Sequence, residues 1–196
     1  MKVVFLDIDG VLNSEHFMLT LEEQHEQRCH PEPPRPKRAT TCTCFQLDRQ
    51  IDPAALARLN VLVSETGSQV VVSSSWRTIF DLPTLQRILD GHGLRFQLLD
   101  VTPDGPNDPR MRVLFPETDM ISRGQEIDFW LRDHPEVECF VILDDSGDMA
   151  MHKPRLVQTD FHEGLLDEHV ALATLMLTRG CDLVAAATLL SQEDAS

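Results

Sequence analysis

The first apolar run of the chain, residues 3–6, ends abruptly at two aspartates, Asp7 and Asp9, followed by Gly10. A short apolar run bounded by turn residues predicts a buried strand of the kind found in parallel sheets. Open α/β sheets hold their ligands at the carboxyl ends of such strands. The pair therefore predicts a carboxylate cluster at a ligand-binding edge and a metal-assisted reaction. From this segment alone, the alternative is an ordinary Asp-Gly turn.

Further apolar runs alternate with helical patterns along the rest of the chain. We predict strands at 69–72, 95–101, 139–143 and 156–158, and helices at 53–66, 82–90, 123–132, 168–179 and 182–190. Caps such as Asp52-Pro53, Asp81 and the Ser122–Gln125 capping box mark where helices begin. This rhythm predicts an α/β, Rossmann-like, doubly wound sheet of about five mostly parallel strands with helices on both faces. Residues 102–117, which are rich in proline, are interpreted as a loop.

One segment, residues 14–50, does not follow this rhythm. It lacks sustained periodicity and contains four prolines, at 31, 33, 34 and 36, interleaved with basic residues at 28, 35, 37 and 38. We interpret it as an insertion within a single domain spanning residues 1–196. A mobile surface loop is favoured over a functional flap.

The amino-acid composition limits the partners that we expect this protein to bind and the compartment in which we expect it. The chain has 32 acidic and 17 basic residues, a formal net charge of −15, which repels polyanions at long range. A nucleic acid would therefore need a local basic patch. Five cysteines, an odd number with no secretory signal before them, predict free thiols in a reducing compartment. No run of about 20 apolar residues exists to span a bilayer, so we expect a cytoplasmic protein without membrane contact.

A second polar group follows the predicted strand at 69–72. Ser73, Ser74 and Ser75 precede Trp76 and Arg77. Hydroxyls and backbone N–H groups at a strand end can hold phosphate oxygens, and Arg77 can add a bidentate contact. The alternative is a serine-rich turn that caps the next element, with Trp76 in the core.

A third group follows the apolar run at 139–143, where Asp144 and Asp145 are adjacent and Asp148 lies nearby. Neighbouring carboxylates at a buried edge raise each other's pKa unless a cation neutralises them. Oxygen-only ligands favour Mg²⁺ among divalent cations. The alternative is a solvated acidic turn.

In this order, the groups resemble the four motifs of the haloacid dehalogenase (HAD) superfamily, with Arg123 at the start of a helix as the third motif. The chain is most similar to the small phosphatase-like domain of multidomain RNA-repair proteins. That similarity is carried by the Ser-Ser-Ser-Trp-Arg run at 73–77, Arg-Gly-Gln-Glu-Ile at 123–127 and Leu-Asp-Asp-Ser at 143–146. It covers nearly the whole chain except residues 14–50.

The resemblance implies a phosphohydrolase that forms an aspartyl-phosphate. Asp7 would be the nucleophile, and Asp9 would protonate the leaving oxygen and then activate water. Mg²⁺ would be held by the Asp7 carboxylate, the Asp9 backbone carbonyl and a fourth-motif aspartate. We favour Asp145 as that direct ligand over Asp144.

The same resemblance assigns the remaining site residues. Ser74 or Ser73 would bind phosphate together with Arg123, whose guanidinium replaces the more usual lysine. Asp144 or Asp148 would not bind the metal directly but would orient the residues that do.

Only residues 14–50 could form a cap over this site, so we expect a HAD-like core with a minimal cap or none. An open site admits bulky substrates, and phosphorylated nucleic acid ends are the first substrate hypothesis. The alternative is a phosphatase for small metabolites or nucleotides. An alternative of another class is a regulatory domain that binds metal and phosphate without turnover.

Overall fold

A single five-stranded, all-parallel sheet organises the molecule. A computed structural model describes residues 1–29, 50–105, 107–114 and 121–193, without the side chains of residues 22, 24–29 and 181–193. The strands are β1 (Lys2–Leu6), β2 (Gln69–Val72), β3 (Leu98–Val101), β4 (Cys139–Asp144) and β5 (Leu156–Gln158). Their spatial order is β3-β2-β1-β4-β5. The chain therefore places β2 and then β3 on one side of β1, and β4 and then β5 on the other side.

Within the described residues, six α-helices connect and cover these strands. They are α1 (Glu15–Cys29), α2 (Pro53–Thr66), α3 (Leu82–His92), α4 (Pro109–Leu114), α5 (Arg123–Asp133) and α6 (Asp167–Glu193). Short 3₁₀ helices span Ser75–Thr78 and Ala150–Arg155. The predicted capping box is present, because the Ser122 hydroxyl accepts a hydrogen bond from the Gln125 backbone N–H and the Gln125 side-chain oxygen accepts one from the Ser122 backbone N–H. The N-caps Asp52 and Asp81 are present as well.

The hydrophobic core lies on both faces of the sheet. Alternate residues of β1 point to opposite faces, as the period of a strand requires. Val4 and Leu6 pack into the larger cluster, which includes side chains of α2, α3 and α6. On the other face Phe5 packs edge-on against Trp130 of α5, with ring centroids 5.4 Å apart. The predicted Rossmann-like α/β fold with helices on both faces is confirmed.

The first part of the segment at 14–50 differs from its prediction. Residues 15–29 form α1, not an unstructured loop. Ser14 caps this helix, since its hydroxyl accepts a hydrogen bond from the Phe17 N–H at 3.2 Å. Glu, Gln, Leu and Met, which dominate residues 18–27, are strong helix formers even without a clear apolar face. The basic residues at 35–38 lie outside the described residues.

Two further predictions of local structure are wrong. The loop expected at 102–117 contains α4, which is started by Asp108 through a hydrogen bond from the Arg110 N–H to its carboxylate at 2.8 Å. The two C-terminal helices expected on either side of Gly180 are one helix, α6. A glycine inside a helix costs only about 1 kcal/mol relative to alanine, which the surrounding leucines and alanines offset.

Two further findings concern a cysteine and the length of the helices. Cys139, the first residue of β4, is disulfide-bonded, so the expectation of free thiols is wrong for this residue. None of the helices in the described part of the chain is long and apolar enough to cross a bilayer. The cytoplasmic location stays a prediction.

Candidate active site

The register of the sheet brings three of the sequence motifs to one level. The last residue of β1 is paired with the last residue of β2 on one side and with Leu143 of β4 on the other. Asp7, Ser73 and Asp144 therefore occupy the next position on three adjacent strands. Hydrogen bonds from the Asp7 N–H to the Leu143 carbonyl at 2.9 Å and from the Ser73 N–H to the Leu6 carbonyl at 2.7 Å extend the ladder to this point. Because the strand order reverses at β1, this is where an open α/β sheet holds its ligand.

Three carboxylates converge at this edge. Asp7, Asp144 and Asp145 each offer an oxygen, and these oxygens lie within 4.8 Å of one another. Asp7 and Asp144 are buried, with 7% and 1% of their surface exposed. One oxygen of each, Asp7 Oδ1 and Asp144 Oδ2, has no hydrogen-bond partner. Buried oxygens without partners are costly, and a hard divalent cation such as Mg²⁺ fits a donor set of this kind.

The pKa shifts of the three carboxyl groups agree with a cation site. Burial, reinforced by the Asp7 carboxylate, raises the pKa of Asp144 to about 7. Burial also raises the pKa of Asp7, although the Arg123 guanidinium and the Ser74 hydroxyl act in the opposite direction. The pKa of Asp145 is raised mainly by burial. A cation bound between them would relieve the cost of ionising three carboxylates in one place.

Asp9 lies beside this cluster but has its own set of partners. The Trp76 indole N–H donates to both carboxylate oxygens of Asp9, at 3.1 and 3.0 Å. The side-chain amide of Asn13 donates to Asp9 Oδ1 at 2.8 Å. Gly10 follows with a φ of +70°, and a methyl group there would lie 2.6 Å from Cγ of Asp145. The predicted Asp-Gly turn is therefore part of the site, where glycine lets Asp145 approach the backbone.

The phosphate-binding prediction concerns the loop after β2. Ser73 and Ser74 are both fully buried. The Ser74 hydroxyl lowers the pKa of Asp7 through a hydrogen bond, and it also accepts from the Trp76 N–H at 3.4 Å as the cap of the 3₁₀ helix. The Ser73 hydroxyl instead accepts from Thr102 at 3.4 Å. Ser74 is thus the hydroxyl in contact with the proposed nucleophile.

Arg123 stands at the N-terminus of α5, opposite the carboxylates. Its guanidinium donates to the carbonyl oxygen of Ser73. It also lowers the pKa of Asp7, Asp144 and Asp145, which places its charge close to all three. Its role as a phosphate ligand stays a prediction.

The structure places Arg77 differently from the sequence expectation. Its guanidinium is buried and donates to Glu126 at 2.5 Å, to the Ser74 carbonyl at 2.6 Å and to the Pro103 carbonyl at 3.1 Å. Glu126 in turn accepts from the Gly105 N–H at 2.9 Å. With these partners, Arg77 anchors the backbone of residues 73–75, the serine loop, to α5. Both terminal nitrogens of the guanidinium are thus engaged by protein acceptors, and the role of Arg77 as a phosphate ligand stays a prediction.

Asp148 is also placed away from its predicted role. Its side chain is exposed, and it is not among the three clustered carboxylates in the described part of the chain. Its backbone carbonyl accepts from the Gly124 N–H at 3.1 Å and so holds the loop after β4 against the start of α5.

Sequence reasoning missed Asn13 and Glu126. Asn13 stands six residues after Asp7, in a turn where asparagine is common, so its type carried no signal. Glu126 occupies the first turn of a capped helix, where an acidic residue is ordinary. Only its burial, with 5% of its surface exposed, distinguishes it from a solvated glutamate.

Comparison with known proteins agrees with this arrangement. A family model described as the HAD domain in Swiss Army Knife RNA repair proteins matches residues 3–170, which contain all four motifs and the whole sheet except Lys2, the first residue of β1. No curated protein matches the chain. Membership of this superfamily supports a phosphohydrolase-type function. Because the match spans most of the chain, the protein belongs to the family of HAD domains found in Swiss Army Knife RNA repair proteins.

Proposed function

We propose that the protein is a Mg²⁺-dependent phosphohydrolase that acts through an aspartyl-phosphate on Asp7. The observation that carries this proposal is the cluster of three carboxylates within 4.8 Å, in which two buried oxygens lack partners. A solvated acidic turn would not bury its charges, and a purely structural cluster would pair them. These features support a cation at this site.

The proposed reaction has two steps. A carboxylate oxygen of Asp7 attacks phosphorus, the bond from phosphorus to the ester oxygen breaks, and Asp9 gives that oxygen a proton. Asp9 then accepts a proton from a water molecule that attacks the same phosphorus, releasing inorganic phosphate and restoring Asp7. Ser74 and Arg123 contribute a hydroxyl and a positive charge beside the transferred group.

Asp7, Asp144, Asp145 and the backbone carbonyl of Asp9 would hold the metal. When bound, Mg²⁺ neutralises charge on the transferred phosphoryl group. Asp144 has one oxygen engaged by the Ser146 N–H at 2.8 Å and the other without a partner. This leaves one Asp144 oxygen available to the cation beside Asp145.

Phosphate release from a generic aryl phosphate tests the activity, measured with Mg²⁺ and with EDTA. We expect Mg²⁺-dependent release, and loss of at least about 10³-fold in Asp7→Asn, which removes the nucleophile at almost constant volume. Asp133→Asn is the matched control, since Asp133 is an exposed residue paired with Arg110 on the surface. Activity in Asp7→Asn equal to that of the control would contradict the mechanism.

Phosphorylated ends of nucleic acid are the proposed substrates. The matching family takes its name from RNA repair proteins, and the site has no packed cap among the described residues. Small metabolites and nucleotides are the alternative, and a non-turnover binding domain is the alternative of another class. A screen of 5′- and 3′-phosphorylated oligonucleotides against mononucleotides distinguishes them. Oligonucleotide turnover should fall as salt rises, because phosphate contacts release counterions.

A further inference from the structure

Trp76 has an unusual place between the core and the site. Its ring is buried, with 6% of its surface exposed, and packs against Phe80 at a centroid distance of 5.9 Å. Its indole N–H points out of this packing toward Asp9 and contacts both carboxylate oxygens, at 3.1 and 3.0 Å. The resemblance that assigns Asp9 a role in proton transfer says nothing about what holds its side chain.

Two features fix the direction of this N–H. Ser74 caps the 3₁₀ helix on which Trp76 stands, through a hydrogen bond from the Trp76 backbone N–H. The ring cannot turn without leaving the core, and a buried indole N–H needs a partner. Asn13 supplies a second donor, at 2.8 Å from Asp9 Oδ1, from the turn that follows β1. Asp9 is thus held by donors from two different loops.

We propose that Trp76 is a positioning residue for Asp9, assisted by Asn13, and that it sets the carboxyl group for transfer of a proton to the leaving oxygen. This inference rests on the proposed phosphohydrolase function. With Asp9 protonated, one oxygen still accepts from the indole while the other carries the proton toward the ester oxygen. After transfer, both oxygens return to the indole N–H. A group misplaced by about 1 Å can lose about 10²-fold in rate.

The proposal predicts a dependence on the leaving group. An alkyl phosphate releases a strongly basic alkoxide unless the oxygen is protonated, whereas a nitrophenyl phosphate releases a weakly basic phenolate that needs little help. A residue that acts through Asp9 must therefore affect the alkyl ester more than the aryl ester. A residue that only stabilises the fold would affect both esters equally.

The experiment uses Trp76→Phe, which removes the N–H and keeps an aromatic ring. The matched control is Trp130→Phe. The Trp130 indole N–H also donates to a carboxylate, Asp100 Oδ2 at 2.7 Å, but its ring packs in the other core cluster from that of Trp76. We expect kcat/KM, which reports formation of the aspartyl-phosphate and departure of the ester oxygen, to fall about 10- to 100-fold on the alkyl phosphate in Trp76→Phe and less than about 3-fold on the aryl phosphate. In Trp130→Phe the ratio of the two rates should match the wild type.

A double variant tests whether the effect passes through Asp9. Once Asp9→Asn has removed the proton donor, adding Trp76→Phe should cause no further loss on the alkyl ester, since residues that act as a unit are not additive. Equal losses on both esters, or a fully additive double variant, would overturn the inference.

The contact itself is tested without turnover. The chain has two tryptophans, so an NMR spectrum of the metal-free protein shows two indole N–H signals, and Trp76→Phe identifies one of them. Asp9→Asn should shift the Trp76 signal, because a charge-assisted hydrogen bond is lost, and leave the Trp130 signal in place. An unmoved Trp76 signal overturns the inference even in an inactive protein. Absence of metal-dependent turnover on both esters with a shifted signal would instead refute the proposed function alone.

Discussion

The buried carboxylate of Asp144 makes the metal-free protein sensitive to pH. Burial and the neighbouring Asp7 raise the pKa of Asp144 from 3.8 to about 7. The folded state therefore binds this proton more tightly than the unfolded state does. The free energy of unfolding should fall as pH rises between about 4 and about 7 and become level above that. Asp144→Asn has no proton to lose at this position and should show a smaller fall, the part that comes from the raised pKa values of Asp7 and Asp145.

The magnitude follows from the two pKa values. Each pH unit in this window contributes about 1.4 kcal/mol, so the whole difference is about 4 kcal/mol. Between pH 5 and pH 8 the wild type should lose about 3 kcal/mol of stability relative to Asp144→Asn. Added Mg²⁺ should restore much of this loss in the wild type, because it compensates the ionised carboxylates.

Urea denaturation in EDTA at pH 5, 6, 7 and 8 measures this difference directly, with Asp133→Asn as the exposed control. The control should follow the wild type at every pH. A difference between wild type and Asp144→Asn that does not change with pH, or that grows toward acid, would refute the reasoning.

Three other perturbations follow from the same contacts. Gly10→Ala should lower Mg²⁺ affinity in calorimetry by about 10-fold or more, because its methyl would displace Asp145; Gly67→Ala, with a similar φ of +64° and open space around it, should not. Arg77→Met should destabilise the fold by about 3–5 kcal/mol in urea, because the buried Glu126 loses its nearest charge partner and keeps the more distant Arg123 at 3.9 Å. Arg77→Met combined with Glu126→Leu should recover part of that loss, and equal losses in both would contradict the ion-pair account. Mg²⁺ at 100 times its Kd should stabilise the protein by about 2.7 kcal/mol in thermal unfolding, and EDTA should reverse the shift.

The two arginines near the serine loop, Arg123 and Arg77, have different partners. Arg123 is 21% exposed and acts electrostatically on the carboxylates, while the Arg77 side chain is 4% exposed and pairs with Glu126. Both donate to backbone carbonyls of the serine loop, at Ser73 and Ser74. The loop beside the proposed nucleophile is thus fixed from α5 as well as from the sheet. Precise placement of this kind is what transition-state stabilisation requires.

Local signals in the sequence predicted much of the fold. Runs of three to seven residues marked the strands, and caps such as Asp52 and the Ser122–Gln125 box marked where helices begin, because these patterns depend on neighbours a few residues apart. The same reasoning missed α1, which has no apolar face to produce a periodic signal. It also divided α6 at Gly180, where packing and strong helix formers outweigh one unfavourable residue.

By itself, the sequence determined that carboxylates, hydroxyls and a cation follow the strands and begin a helix, since each motif is a local pattern. The tertiary structure alone decided which of these groups meet. Parallel register placed Asp7 level with Asp144, and the folded chain joined Trp76 to Asp9 across 67 residues and Arg77 to Glu126 across 49. Distance along the chain does not encode such contacts, because they depend on how strands align and on which side chains are excluded from water. For that reason the sequence did not indicate that Arg77 pairs with a buried glutamate, or that Trp76, a core residue in the alternative interpretation, contacts the proposed acid.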